Sequence, residues 1–146
     1  MISGSRLLDT ISNSGSNVTI NGGAGNEYIH NYAPGVSLNA GDGNDHVSNS
    51  SSSVTLLGGN GSDSISNYGD TVLVDTGADN DYVYNQGDAV NLKTGAGNDT
   101  IKSGGSGGNL YQYPADDGHD TIIGYSESDT INRCRQLSAR YAPGQQ

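Results

Sequence analysis

The chain has 146 residues, of which 23 are glycine and none is Phe or Trp; hydrophobic residues make up 32% and the net charge is −10. That length suits one domain, and the six basic residues exclude a nucleic-acid surface, which needs clustered Lys and Arg. No stretch is apolar enough to span a bilayer. Such bulk figures ordinarily describe disorder, unless the apolar residues recur at fixed positions.

They do recur. The opening segment, "MISGSRLLDTISNSG", has no basic stretch followed by an apolar run, so no secretory leader is expected in it. From Asp9 onward an acid returns every 18 residues, as Glu27, Asp45, Asp63, Asp81 and Asp99, and Asp120 follows after 21. Two residues beyond each acid stands an aliphatic: Ile11, Ile29, Val47, Ile65, Val83, Ile101 and Ile122. Two further on comes an amide column, Asn13, Asn31, Asn49, Asn67 and Asn85. The second half of each unit carries Val18, Val36, Val54, Val72 and Val90, then Ile20, Leu38, Leu56, Val74 and Leu92.

Within the unit the apolar period is two, as in "SVTLL", "DTVLVD" and "AVNLK", which predicts short strands with alternate side chains inward. Gly, Asn, Ser and β-branched residues argue against helix. Two strands of about four residues and two tight turns fill each unit, and successive units stack as a parallel solenoid. The expected fold is therefore all-β: a parallel β-roll or β-solenoid of 18-residue coils, six to seven of them over residues 1–131, with a closing coil over 103–131. Residues 132–146, which hold Arg133, Cys134, Arg135 and Arg140, are expected to lie outside the repeat.

The stretches ahead of the acids read "GGAGNEYIH" (22–30), "AGDGNDHVS" (40–48), "GGNGSDSIS" (58–66), "TGADNDYVY" (76–84) and "TGAGNDTIK" (94–102). In register, these resemble the nonapeptide G-G-x-G-x-D-x-U-x of the RTX, or hemolysin-type calcium-binding, repeats. The resemblance implies a right-handed roll with calcium between consecutive turns on one edge. Carried over, it assigns Glu27, Asp45, Asp63, Asp81, Asp99 and Asp120 as ligand carboxylates. It also assigns Gly23, Gly25, Gly41, Gly43, Gly59, Gly61, Gly77, Gly95 and Gly97 as the turn residues whose carbonyls face the ion.

Four full sites follow, between Glu27 and Asp45, Asp45 and Asp63, Asp63 and Asp81, and Asp81 and Asp99. Four Ca²⁺ would move the net charge from −10 to −10 + 8 = −2. The end pairs, Asp9 with Glu27 and Asp99 with Asp120, are discounted, because "GSRLLD" lacks the glycines and the last step is offset by three residues. Calcium is a hard cation that takes six to eight oxygens in tolerant geometry, and glycine lets a backbone turn aim carbonyls inward. Asn26, Asn44, Asn80 and Asn98 come after the last glycine of their turns, and Asn tolerates left-handed backbone well. Asp79 stands where the motif wants Gly.

The alternate turns, "NSGSNV", "NYAPGV", "NSSSSV", "NYGDTV" and "NQGDAV", carry no such motif, so metal is expected on one edge and stacked Asn amides on the other. His30, His46 and His119 occupy different positions of the unit, which speaks against zinc, and the tyrosines are expected to cover the flanks of the rod. No catalytic motif is present, and the chain is not expected to be an enzyme. The resemblance implies a secreted or cell-surface bacterial module that folds on calcium outside the cell. The alternatives are an ice- or surface-binding adhesion solenoid, or the C-terminal appendage of a secreted hydrolase. Open coil ends also leave end-to-end self-association as a partner mode.

Overall fold

The computed structural model describes residues 1–114 and 118–133. Among the described residues the strands form two parallel sheets, and there is no helix. One sheet stacks seven short strands: β2 (Thr10–Asn13), β4 (Tyr28–Asn31), β6 (His46–Asn49), β8 (Ser64–Asn67), β10 (Tyr82–Asn85), β12 (Thr100–Ser103) and β14 (Thr121–Ile123). The other stacks eight: β1 (Ile2–Ser3), β3 (Thr19–Ala24), β5 (Ser37–Asp42), β7 (Thr55–Asn60), β9 (Leu73–Ala78), β11 (Asn91–Ala96), β13 (Leu110–Tyr113) and β15 (Thr130–Arg133). The chain alternates between the sheets, so every coil contributes one strand to each, and the whole is a β-solenoid of about seven turns.

Register explains why the columns exist. Ile11 pairs with Ile29, Ile29 with Val47, and so on to Ile101 with Ile122. On the other sheet Ile20 begins a column that runs through Leu38, Leu56, Val74 and Leu92 to Tyr111 and Ile131. Parallel pairing at a fixed step places like on like, and alternation sends these side chains inward. Most of this core has no exposed surface at all. The closing coil departs from the period: Leu92 to Tyr111 is 19 residues and Tyr111 to Ile131 is 20.

Two expectations are corrected. The strands of the larger sheet are six residues long in their repeating part, not four, because the glycine segment continues the ladder: Gly23 pairs with Gly41, Gly41 with Gly59, Gly59 with Gly77 and Gly77 with Gly95. The residue before each of these glycines is skipped by the register, which bends the strand toward the acid edge. Secondly, the strand β15 includes Asn132 and Arg133, which were expected outside the repeat; residues 134–146, with Cys134, Arg135 and Arg140, lie outside the described residues. Among the described residues no helix is long and apolar enough to cross a membrane.

Candidate metal centre

The acids form one buried column. Glu27 is 0% exposed, Asp45 and Asp63 2%, Asp81 3% and Asp99 1%. Burial of this degree is rare for carboxylates and demands partners. Each Asp of the column from Asp45 onward finds one in the preceding coil. The backbone N–H of Glu27 donates to Asp45 Oδ1 at 2.7 Å, Asp45 N–H to Asp63, Asp63 N–H to Asp81 and Asp81 N–H to Asp99, each at 2.8 Å. Asp99 N–H donates to Asp120 Oδ1 at 2.9 Å, so the 21-residue step keeps Asp120 in the column. One oxygen of each Asp is thereby used to bind coil to coil.

The second oxygen is not. Oδ2 of Asp45, Asp63 and Asp81, and both carboxylate oxygens of Glu27, are buried without a hydrogen-bond partner. What surrounds them is acceptor-rich. A Cβ built on Gly58 would lie 2.5 Å from Asp63 Oδ2 and 2.2 Å from the Thr76 carbonyl oxygen, so both oxygens border the space that glycine leaves open. At Gly22 the same space is bordered by the carbonyl of Ala40, and at Gly25 a Cβ would meet Glu27 Oε1 at 2.6 Å. Beside Gly58 a carboxylate oxygen and a carbonyl oxygen border the same space, and the carboxylate oxygen has no donor.

That arrangement raises proton affinity. Burial, reinforced by the neighbouring carboxylate of Asp45, pushes Glu27 up to about 7. Burial also lifts Asp63 to about 7, helped by the charges of Asp81 and Asp45 and opposed by the Asp45 N–H. Asp81 rises to about 6 for the same first reason, while the Asp63 N–H and the Thr76 hydroxyl pull it down. A cation would remove the same conflict without a proton.

The motif glycines occupy two further columns. Gly23, Gly41, Gly59, Gly77 and Gly95 have φ between +99° and +123°, and Gly25, Gly43, Gly61 and Gly97 between +110° and +140°. At Gly41 a Cβ would sit 2.1 Å from the Gly23 carbonyl oxygen, so no other residue fits the stacked backbones. Asp79, in the second of these columns, has φ +76° and accepts the Gly61 N–H on its carboxylate at 3.2 Å.

Left-handed backbone at Asn26, Asn44, Asn80 and Asn98 is not found. These residues act through their side chains: Asn26 Oδ1 accepts the Asn44 N–H, Asn44 that of Ser62, Asn80 that of Asn98 and Asn98 that of His119, at 2.7–2.9 Å. An Asx side chain that stacks coil on coil satisfies the turn amides directly, with no need for an unusual φ.

The first coil keeps the backbone arrangement of the later ones. Gly4 occupies the place of Gly22 one coil earlier, with the Gly22 carbonyl and Asp9 Oδ2 bordering its open side, and Ser5 N–H donates to Asp9 Oδ2 at 2.5 Å. A lone Gly-Ser ahead of "RLLD" was too little to signal this. Asp9 is half-buried, unlike the inner acids.

Among the described residues no three His, Cys, Asp or Glu side chains converge. An ion here would be held by a pair of carboxylates and by backbone carbonyls, an all-oxygen set that suits a hard cation and not zinc. His30 and His46 lie on outer faces beside tyrosines, His30 stacked on Tyr32 and His46 tilted against Tyr28. No protein-family model matches the chain, and searches of curated proteins and of solved structures likewise find no match.

Proposed function

We propose that this chain is a calcium-binding structural module of the RTX, or hemolysin-type, kind, part of a secreted or cell-surface bacterial protein, and that it folds as calcium binds outside the cell. One observation carries the proposal: a column of buried carboxylates, one per coil, with unpartnered oxygens on Glu27, Asp45, Asp63 and Asp81, that of Asp63 beside a carbonyl at the bend opened by Gly58. Neighbouring charges about 5 Å apart repel by roughly 3 kcal/mol at an effective dielectric of 20. Calcium, when bound, supplies the positive charge that this column lacks. Glu27, Asp45, Asp63 and Asp81 would hold it together with the carbonyls at the bends, while the Oδ1 atoms keep the coils in register. Extracellular calcium is plentiful, so linkage between binding and folding would delay folding until export.

The role is structural and not catalytic, because the acids are sealed from substrate and repeat along a rod instead of meeting at one cleft. The test is a calcium titration from excess chelator, followed by far-UV circular dichroism, with magnesium as control. A cooperative gain of β signal with calcium alone is expected. Full β content in chelator would sink the proposal.

A further inference from the structure

Five residues before each acid lies the residue at which the longer strands bend: Gly4, Gly22, Ala40, Gly58, Thr76 and Thr94. Its Cβ direction leads into the space beside the acid, as the contacts of a Cβ built on Gly58 demonstrate. In the first coils that space receives hydrogen or a methyl group. At Thr76 and Thr94 it receives a hydroxyl.

Both threonines are completely buried. The Thr76 hydroxyl donates to the Thr94 carbonyl oxygen, which is the counterpart of the carbonyls that border the open spaces at Gly22 and Gly58. The Thr94 hydroxyl donates to Asp120 Oδ2 at 3.1 Å. A hydroxyl therefore stands in each of the last two inter-coil spaces and gives its proton to one oxygen there, the Thr94 carbonyl or Asp120 Oδ2, whereas the earlier spaces hold no side-chain hydroxyl. The hydroxyl supplies one proton where the earlier spaces have none, and its own oxygen and methyl fill the volume an ion would need.

We infer that Thr76 and Thr94 close their spaces to cations and divide the column in two. The three spaces between Glu27 and Asp45, Asp45 and Asp63, and Asp63 and Asp81 take calcium. The spaces between Asp81 and Asp99, and between Asp99 and Asp120, are held by hydroxyl bonds instead. This division rests on the calcium reading proposed above, and it removes the fourth of the sites that the turn motif implies.

The experiment counts bound calcium by equilibrium dialysis at saturation for the wild type and for variants at the bend. Thr76→Ala should bind one ion more than the wild type, and Thr76→Ala with Thr94→Ala two more. Ala40→Thr should bind one fewer, and it keeps the test alive if the alanine variants do not fold. An unchanged or lower count in Thr76→Ala, or an unchanged count in Ala40→Thr, overturns the division, since the hydroxyl would then be a ligand or a bystander. If no variant binds calcium, the calcium reading itself has failed. The hydroxyl bonds are then judged in chelator, where Thr76→Val should lower the urea midpoint and Thr76→Ser should leave it near wild type. Equal midpoints for the two would overturn the role given to the hydroxyl.

Discussion

The two edges of the solenoid share a period, a topology and a buried polar column, yet only one of them balances its own hydrogen bonds. On the amide edge, Asn13, Asn31, Asn49 and Asn67 each donate to the Oδ1 of the next coil's Asn at 2.8 Å. The second amide hydrogen goes to the carbonyl two residues on, at 2.8–2.9 Å. Oδ1 also accepts the N–H of that same residue in most coils. Donors and acceptors are equal in number because an amide carries both. On the acid edge, a carboxylate brings acceptors only, and after one backbone N–H is used the other oxygen of Asp45, Asp63 and Asp81 has no donor. The contrast teaches that a buried column can be neutral glue or a demand for positive charge, according to whether its residue supplies its own donor.

The amide ladder ends without loose groups of its own kind. Where a further Asn would follow Asn85 the chain has Ser103, and the Tyr111 hydroxyl reaches it at 2.6 Å. Tyr111 is fully buried in the Leu92 column, so the same ring fills core and closes the polar stack.

Acidification of the cation-free protein should produce the largest effect on this contrast. Glu27, Asp63 and Asp81 are all raised, to about 7, about 7 and about 6, so the folded chain binds protons that the unfolded chain releases. Their stabilisation is fully present below the unfolded carboxylate range near pH 4, and is lost as pH rises through 6 to 7. In chelator, β signal by circular dichroism should therefore grow as pH falls from 8 to 5, and calcium should abolish that dependence. A flat profile in chelator would erase the distinction between the edges.

Next in size, Asn49→Leu should cost about 3 kcal/mol or more, since it strands the Asn31 amide and the Asn67 carbonyl oxygen at once. The measurement is the urea midpoint in saturating calcium. A loss no larger than that of an ordinary core swap would mean the ladder contributes packing alone.

Asp63→Asn should change sign with conditions. It removes a buried charge, so it should raise β content in chelator, yet in calcium it should lower stability by about 1–3 kcal/mol through the lost ligand. The same sign under both conditions would contradict a cation role for this column.

The smallest effect concerns the second edge's backbone. Asn17, Gly35, Ser53, Thr71 and Ala89 form a column with φ between +54° and +70°, and Thr71 at +57° is β-branched. Thr71→Gly should stabilise by about 1 kcal/mol, equally at every calcium concentration, as read from thermal unfolding. A calcium-dependent gain would show that the two edges are coupled.

Much of this was legible beforehand, for one reason. A fixed step in a parallel stack places equivalent residues in contact, so the recurrence of Ile29, Val47 and Ile65, of Asn31, Asn49 and Asn67, and of Asp45, Asp63 and Asp81 already described three columns. The left-handed column was not legible, because Asn, Gly, Ser, Thr and Ala share no chemistry that marks positive φ. Gly4 was missed because the residues after it break the motif, although its backbone keeps the motif's place.

By itself, then, the sequence determined the period, the parallel stacking, the inward aliphatics and the separation of an acid edge from an amide edge, because these depend only on which residue types recur and at what step. Only the tertiary structure decided how the polar atoms are shared. That the amide of Asp45 takes an oxygen of Asp63, that Asn44 works through its side chain, and that Thr76 and Thr94 turn hydroxyls onto the next oxygen are matters of direction. Hydrogen bonds are directional and local, and a one-dimensional spacing carries no direction.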